Sequence, residues 1–187
     1  MSDDIAKTSD YTHFASIPWC AQHLHGPRIV TIWPPSRQQK PNGEDTLFSE
    51  TLNSPNTISA MLGVYEEPVS STAVIGSVKT FLTLGSALNG HPSVCHGGIV
   101  ATILDEVVGL IIPINEKRGA IPNVPYMTAY LNITYLRPVQ TPATILAWAK
   151  VDRVEGRKLF IQGSIEDEKG SILAKADVLY VGLKSNL

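Results

Sequence analysis

The sequence is short of cysteine, of net charge and of long uninterrupted apolar runs, and each shortage excludes a class of protein. Two cysteines in 187 residues, Cys20 and Cys95, make no disulfide framework and suit a reducing compartment. Fifteen Lys and Arg against seventeen Asp and Glu leave a formal charge of -2, so no basic field recruits nucleic-acid phosphates. The longest apolar stretch, residues 99–114, carries Asp105 and Glu106 at its centre and reads as too short to span a bilayer. The opening Met1-Ser2-Asp3-Asp4 lacks the basic-then-apolar order of a secretory signal and is poor in Arg, which predicts a soluble, cytoplasmic protein. What remains is a chain with 43% hydrophobic and 17% charged residues, which predicts a globular fold rather than disorder. A chain of this length buries roughly 70% of its unfolded surface, enough for one core without a metal or disulfide staple.

Along the chain there is no internal repeat and no low-complexity tract. Residues 1–56 read as an extension of loops and short helices, broken by Pro34, Pro35, Pro41 and Pro55. Within it Phe14, Ile17, Trp19, Cys20 and Leu24 share one face of a short helix. From residue 57 the signals sharpen into a main domain running to 187. Residues 58–65 and 72–84 read as strands around a Glu-Glu-Pro turn. Residues 97–112 have the length of a four-turn helix that stops at Pro113, apolar nearly all round and so buried on most sides. Four strand-like runs follow, at 126–137, 144–154, 158–166 and 171–183. One apolar helix between strands predicts an α+β fold in which a curved antiparallel sheet wraps the helix.

Chemistry concentrates in His96-Gly97-Gly98 and, nine positions after the histidine, Asp105. Two glycines at a helix start bare the free backbone N–H groups and the positive end of the dipole, which suits an anion or a developing oxyanion. Equally, they permit close packing of sheet on helix. A carboxylate in a buried helix is costly unless it is paired or chemically employed. Asp105 therefore reads either as a general base or nucleophile, or as part of an exposed stripe with Glu106. A helix rising 1.5 Å per residue puts His96 and Asp105 about 13 Å apart, so one small reacting group cannot touch both. Either one of them acts alone, or two chains share each site, as a two-fold dimer allows.

Three segments in order, His96-Gly97-Gly98 with Asp105, then Met127-Thr128 to Arg137-Pro138, then Val154 to Lys158, resemble the hotdog-fold acyl-CoA thioesterases. The likeness is to the phenylacetyl-CoA thioesterase type and most of all to thioesterase superfamily member four of animals. It covers residues 57–183. The resemblance implies a hotdog fold assembled as a dimer or dimer of dimers, and hydrolysis of an acyl thioester, delivered by CoA or by acyl carrier protein, without metal or cofactor. It implies Asp105 as the catalytic carboxylate, Thr128 orienting water or carboxylate, and the Gly97 N–H polarising the thioester carbonyl, with His96 shaping the loop. It implies that Asp105 and Thr128 face His96 and Gly97 of a partner chain. Gly98, Asn89, His91, Thr134, Arg157 and Lys158 are implied substrate contacts, the last two as cations for the CoA phosphates. Two positions depart from the family. Gly90 stands where some relatives place Asn or Gln, and Leu136 where close relatives carry Lys.

Other candidates carry less. Cys95 and His96 are adjacent in an extended loop and point apart, which argues against a Cys–His nucleophile. His13, His23 and His25 have no carboxylate or cysteine spacing to make a metal site. Trp33 and Trp148 read as packing, and Glu106, about 100° round the helix from Asp105, as exposed or at an interface. Two rival functions remain. One is a non-catalytic acyl-CoA-binding sensor or scaffold, since a fold does not grant activity. The other is an acyl carrier protein dehydratase or hydratase, which the pair His91-Pro92 suggests and the His96-to-Asp105 spacing opposes.

Overall fold

A computed structural model describes residues 9–70 and 73–184. Two short helices, α1 (Ser9–Ala15) and α2 (Pro18–Ala21), precede strand β1 (Ile29–Ile32). Strands β2 (Ile58–Glu66) and β3 (Ser77–Leu84) follow, then a small hairpin of β4 (Asn89–His91) and β5 (Val94–Cys95). Helices α3 (Gly97–Gly109) and α4 (Ile111–Lys117) lead to β6 (Tyr126–Tyr135), β7 (Ala143–Glu155), β8 (Lys158–Glu166) and β9 (Ile172–Gly182). Seven strands form one sheet in the order β1-β2-β3-β7-β8-β9-β6, every neighbouring pair antiparallel.

Val100, Ile103, Leu104, Val107 and Val108 of α3 are buried at the i, i+3, i+4, i+7, i+8 spacing of one helix face. They meet inward residues such as Leu82, Ile145, Ala147, Ile161 and Val178, so the core lies between helix and sheet. A second cluster sits on the opposite face of β2, β3 and β7. There Phe14, Cys20 and Leu24 cover Ala60, Leu62, Val64, Phe81 and Leu146. The apolar set expected on one N-terminal helix is thus split over α1, α2 and the turn after them.

Three sequence expectations are corrected. Residues 29–32 form a strand, pairing Ile29 with Glu66 through Ile32 with Gly63, where loop and short helix were expected. Ile29, Val30, Thr31 and Ile32 are all β-branched, which favours an extended edge. The second strand begins at Ser77 instead of 72, and Thr72 lies outside the described residues, as does the Met1–Asp4 start. Pro113 does not end the helical run. Helix α3 gives way at Leu110 and α4 starts afresh, so Pro113 falls in a first helical turn, where a missing N–H costs little. The run Gly97–Lys117, 21 residues of which an 18-residue stretch has mean hydropathy 1.9, is therefore long and apolar enough to cross a membrane by length and composition. Its apolar side chains instead fill the core under the sheet.

Candidate active site

The first half of the site is the start of α3. His96 is the N-cap, with extended φ and ψ of -60° and 134°, and its Nδ1 accepts the Gly98 N–H at 2.9 Å. An accepting Nδ1 carries no proton, so the neutral ring holds its proton on Nε2. The Gly98 N–H is thereby occupied, whereas the Gly97 N–H meets no acceptor among the described residues. The Tyr135 hydroxyl, at the far end of β6, donates to the Gly97 carbonyl at 3.0 Å. Gly90 explains one departure from the family pattern. A Cβ there would stand 2.9 Å from the Cα of His96, so any side chain would push the capping residue aside.

The neighbouring candidates divide. Asn89 accepts the Thr141 hydroxyl at its Oδ1, and His91 is exposed on the β4–β5 hairpin. Cys95 is buried, which pushes its thiol up to about 11, and its Sγ lies 3.8 Å from the His96 carbonyl rather than against the ring. That is an inert thiol and no nucleophile.

The second half lies further along α3. Asp105 is half-buried, and its Oδ1 accepts the Thr128 hydroxyl of β6 at 3.1 Å. A register shift between Thr128 and Tyr130 keeps Thr128 on the helix-facing side together with Leu131 and Ile133. The structure thus brings Asp105 and Thr128 within hydrogen-bond distance of each other. By the same alternation Thr134 points to the outer face, away from Asp105. Arg157 is exposed in the β7–β8 turn and Lys158 is exposed at the start of β8, at the Tyr180 end of the sheet, with Lys158 opposite Val181 and Leu159 opposite Tyr180. The Arg157 guanidinium donates to the Gly182 carbonyl.

A cleft of about 310 Å³ opens over Asp105, and sequence reasoning missed most of its walls. Tyr180 of β9 is buried beneath it, with its hydroxyl 2.8 Å from the Asp105 carbonyl and 3.2 Å from Oδ1. Ser36, Lys40 and Asp45 of the N-terminal segment form the opposite side. That segment is pinned by the buried Arg37, whose Nη1 donates to the carbonyls of Phe48 and Leu52 at 3.1 Å each, and whose Nη2 donates to Ile58 at 2.9 Å. Glu106 also lines this cleft, half-buried instead of exposed. Burial pushes its carboxyl above the usual range, aided by the charges of Asp45 and Asp105 and opposed by Ser36 and Lys40. No sequence pattern announces these partners, which come from segments with no local link to α3.

Other expectations resolve simply. Trp148 is half-buried and donates to Glu166 at 2.6 Å, whereas Trp33, expected to pack, is 37% exposed. His13 bonds Thr83 and His23 bonds Lys79.

Residues 93–174 match the Thioesterase superfamily. Over 94% of its length the chain is 30% identical to Verlamelin biosynthesis protein B of a Lecanicillium species, spanning 88% of that protein. It is 36% identical to Acyl-coenzyme A thioesterase THEM4 of Mus musculus over 53% of this chain but only 40% of that one. The Saccharomyces cerevisiae relative called an uncharacterized mitochondrial membrane protein, FMP10, is 26% identical over 76% of this chain and 56% of its own. Among solved structures, a thioesterase superfamily protein superposes with a TM-score of 0.50 and 28% identity, covering 64% of this chain and 53% of that one. A Bacillus halodurans protein crystallised with CoA gives 0.51 at 24% identity, over 58% and 69% of the two chains.

Proposed function

We propose, for a chain that belongs to the thioesterase superfamily and so to the thioester hydrolases, that its substrate is an acyl-CoA and that Asp105 carries the reaction. The observation behind this is the Thr128 hydroxyl on Asp105 Oδ1, 3.1 Å away inside a cleft of about 310 Å³. Asp105 is the only one of the expected catalytic residues there that can take a proton from water or attack the thioester carbon itself. The Gly97 N–H, unoccupied among the described residues, is the donor for the developing oxyanion.

Gly97 and Asp105 are eight residues apart on one helix, about 12 Å, too far to serve one carbonyl. The reading therefore requires a two-fold pair of chains, each site taking Asp105 and Thr128 from one and the start of α3 from the other. CoA as carrier is supported by the name of the mouse relative and by the CoA bound to the Bacillus structure. Lys158, opposite Val181 and next to the residue opposite Tyr180, is the exposed cation we assign to a CoA phosphate. The Saccharomyces relative extends the expected compartment from cytoplasm to mitochondrion. We read residues 57–187 as the catalytic hotdog unit and residues 1–56 as an extension joined to it through β1 and the cleft wall. His91 lies exposed on the hairpin rather than beside Asp105, which disfavours a dehydratase.

The test is thiol release from short, long and aromatic acyl-CoAs by the wild type and by Asp105→Asn. Turnover by the wild type that falls at least a hundredfold in the variant supports the reading. Equal rates remove Asp105 from the chemistry. Saturable binding without release by the wild type turns the reading to a sensor or to a carrier-protein substrate.

A further inference from the structure

Tyr180 stands 75 residues from Asp105 in sequence and is buried beneath it. Its hydroxyl donates to the Asp105 main-chain carbonyl at 2.8 Å and reaches Oδ1 at 3.2 Å. The Thr128 hydroxyl donates to that same Oδ1 at 3.1 Å. Both groups therefore crowd one carboxylate oxygen, and among the described residues no hydrogen bond reaches Oδ2. The site makes room for the phenol. A Cβ on Gly109, one turn beyond Asp105, would lie 3.1 Å from the Tyr180 hydroxyl oxygen, tighter than ordinary contact. Burial, and then the Asp105 charge, push phenol ionisation far up, so the hydroxyl stays a neutral donor.

We propose that Tyr180 is a positioning residue of the hydrolase: gripping Asp105 at its carbonyl and Oδ1, it holds the side chain so that Oδ2 alone faces the cleft. Oδ2 is then the atom that takes the proton of the attacking water or forms the bond to the thioester carbon. This rests on the proposed role of Asp105. Thr128 sets one side of the grip and Tyr180 the other, so the carboxylate cannot swing about its last torsion, whose well is broad when nothing restrains it. A reacting oxygen displaced by a fraction of an ångström loses rate without losing affinity.

The experiment uses the full chain with a thiol-release assay on the best acyl-CoA. Tyr180→Phe keeps the buried ring and removes the hydroxyl. The expected result is a kcat lower by roughly tenfold with KM unchanged. Gly109→Ala is the second variant, since its methyl crowds the hydroxyl and leaves the ring alone. It is expected to lower kcat by a smaller factor in the wild type and to have no effect in the Tyr180→Phe background, where there is no hydroxyl to displace. An unchanged kcat in Tyr180→Phe, a change confined to KM, or an equal effect of Gly109→Ala in both backgrounds overturns the proposal. Asp105→Asn run in parallel separates the two claims. Wild-type turnover in that variant would sink the reading of Asp105 itself, whereas its loss beside an unaffected Tyr180→Phe would sink only the role of Tyr180.

Discussion

At its first residues α3 is held mainly by its own neighbourhood in the chain: His96 caps Gly98, Gly90 makes room for His96, and among the described residues Tyr135 is the one distant hydrogen-bond partner. Eight residues further on nothing local remains. Asp105 is gripped by Thr128, 23 positions away, and by Tyr180, 75 away, and faced across a cleft by Ser36 and Lys40. The first end offers a bare N–H to the open, the second a carboxylate inside a recess. An oxyanion donor needs only a helix start, which local sequence can specify. A catalytic carboxylate needs a recess that holds it, and only remote segments supply one.

The contrast can be broken most forcefully at the exposed end. Gly97→Pro deletes the N–H and little else, because proline suits the first helical position and the extended backbone of His96 suits a following proline. We expect turnover to fall roughly a hundredfold with the melting temperature retained. A wild-type rate would show that the helix start takes no part.

Mixing this variant with Asp105→Asn after joint unfolding and refolding sharpens the comparison further. If one chain supplies each end, half of the reassembled pairs carry one intact site, and about a quarter of the wild-type activity returns. Recovery no greater than the sum of the two parents would place both ends in the service of a single chain.

Next in size is the cap. His96→Ala should cost about 1 kcal/mol of stability in a denaturant titration, and His96→Asn should restore most of it, because asparagine caps as well. An equal loss in both variants would mean that the ring matters for something other than its hydrogen bond.

The smallest effect belongs to the recess. Glu106 has its ionisation raised in the fold from an ordinary 4.5 by burial first. A raised carboxyl contributes stability that is present below pH 4.5 and is lost as pH climbs through the folded value. Glu106→Gln should therefore gain melting temperature on the wild type between pH 4.5 and 7, and little below that window. Parallel curves across the range would show that the recess does not strain Glu106.

Much of the main domain is legible in the chain because it rests on short-range pattern. The strand expected at 158–166 is found as Lys158–Glu166, bounded by turns that interrupt the alternation. The helix start at Gly97 was also readable, whereas a link between Asp105 and Thr128 was implied only by the family resemblance. The four β-branched residues 29–32 carried a strand signal, but four residues cannot say whether a sheet edge waits for them. The helix end was misjudged because Pro113 blocks a helix interior and is tolerated in a first turn, and which of these applies depends on the break at Leu110.

Sequence by itself determined the hydrophobic face of α3, the capped glycine start and the presence of a carboxylate that an apolar helix does not need. These follow from periodicity and backbone chemistry, which act over a few residues. Tertiary structure alone decided that Tyr180 and Thr128 share one oxygen of Asp105, that Arg37 pins the segment carrying Ser36 and Lys40 across the cleft, and that Glu106 is half-buried beside them. Such contacts join residues dozens of positions apart, and their geometry is set by sheet register and the packing of helix on sheet, quantities that no local pattern encodes.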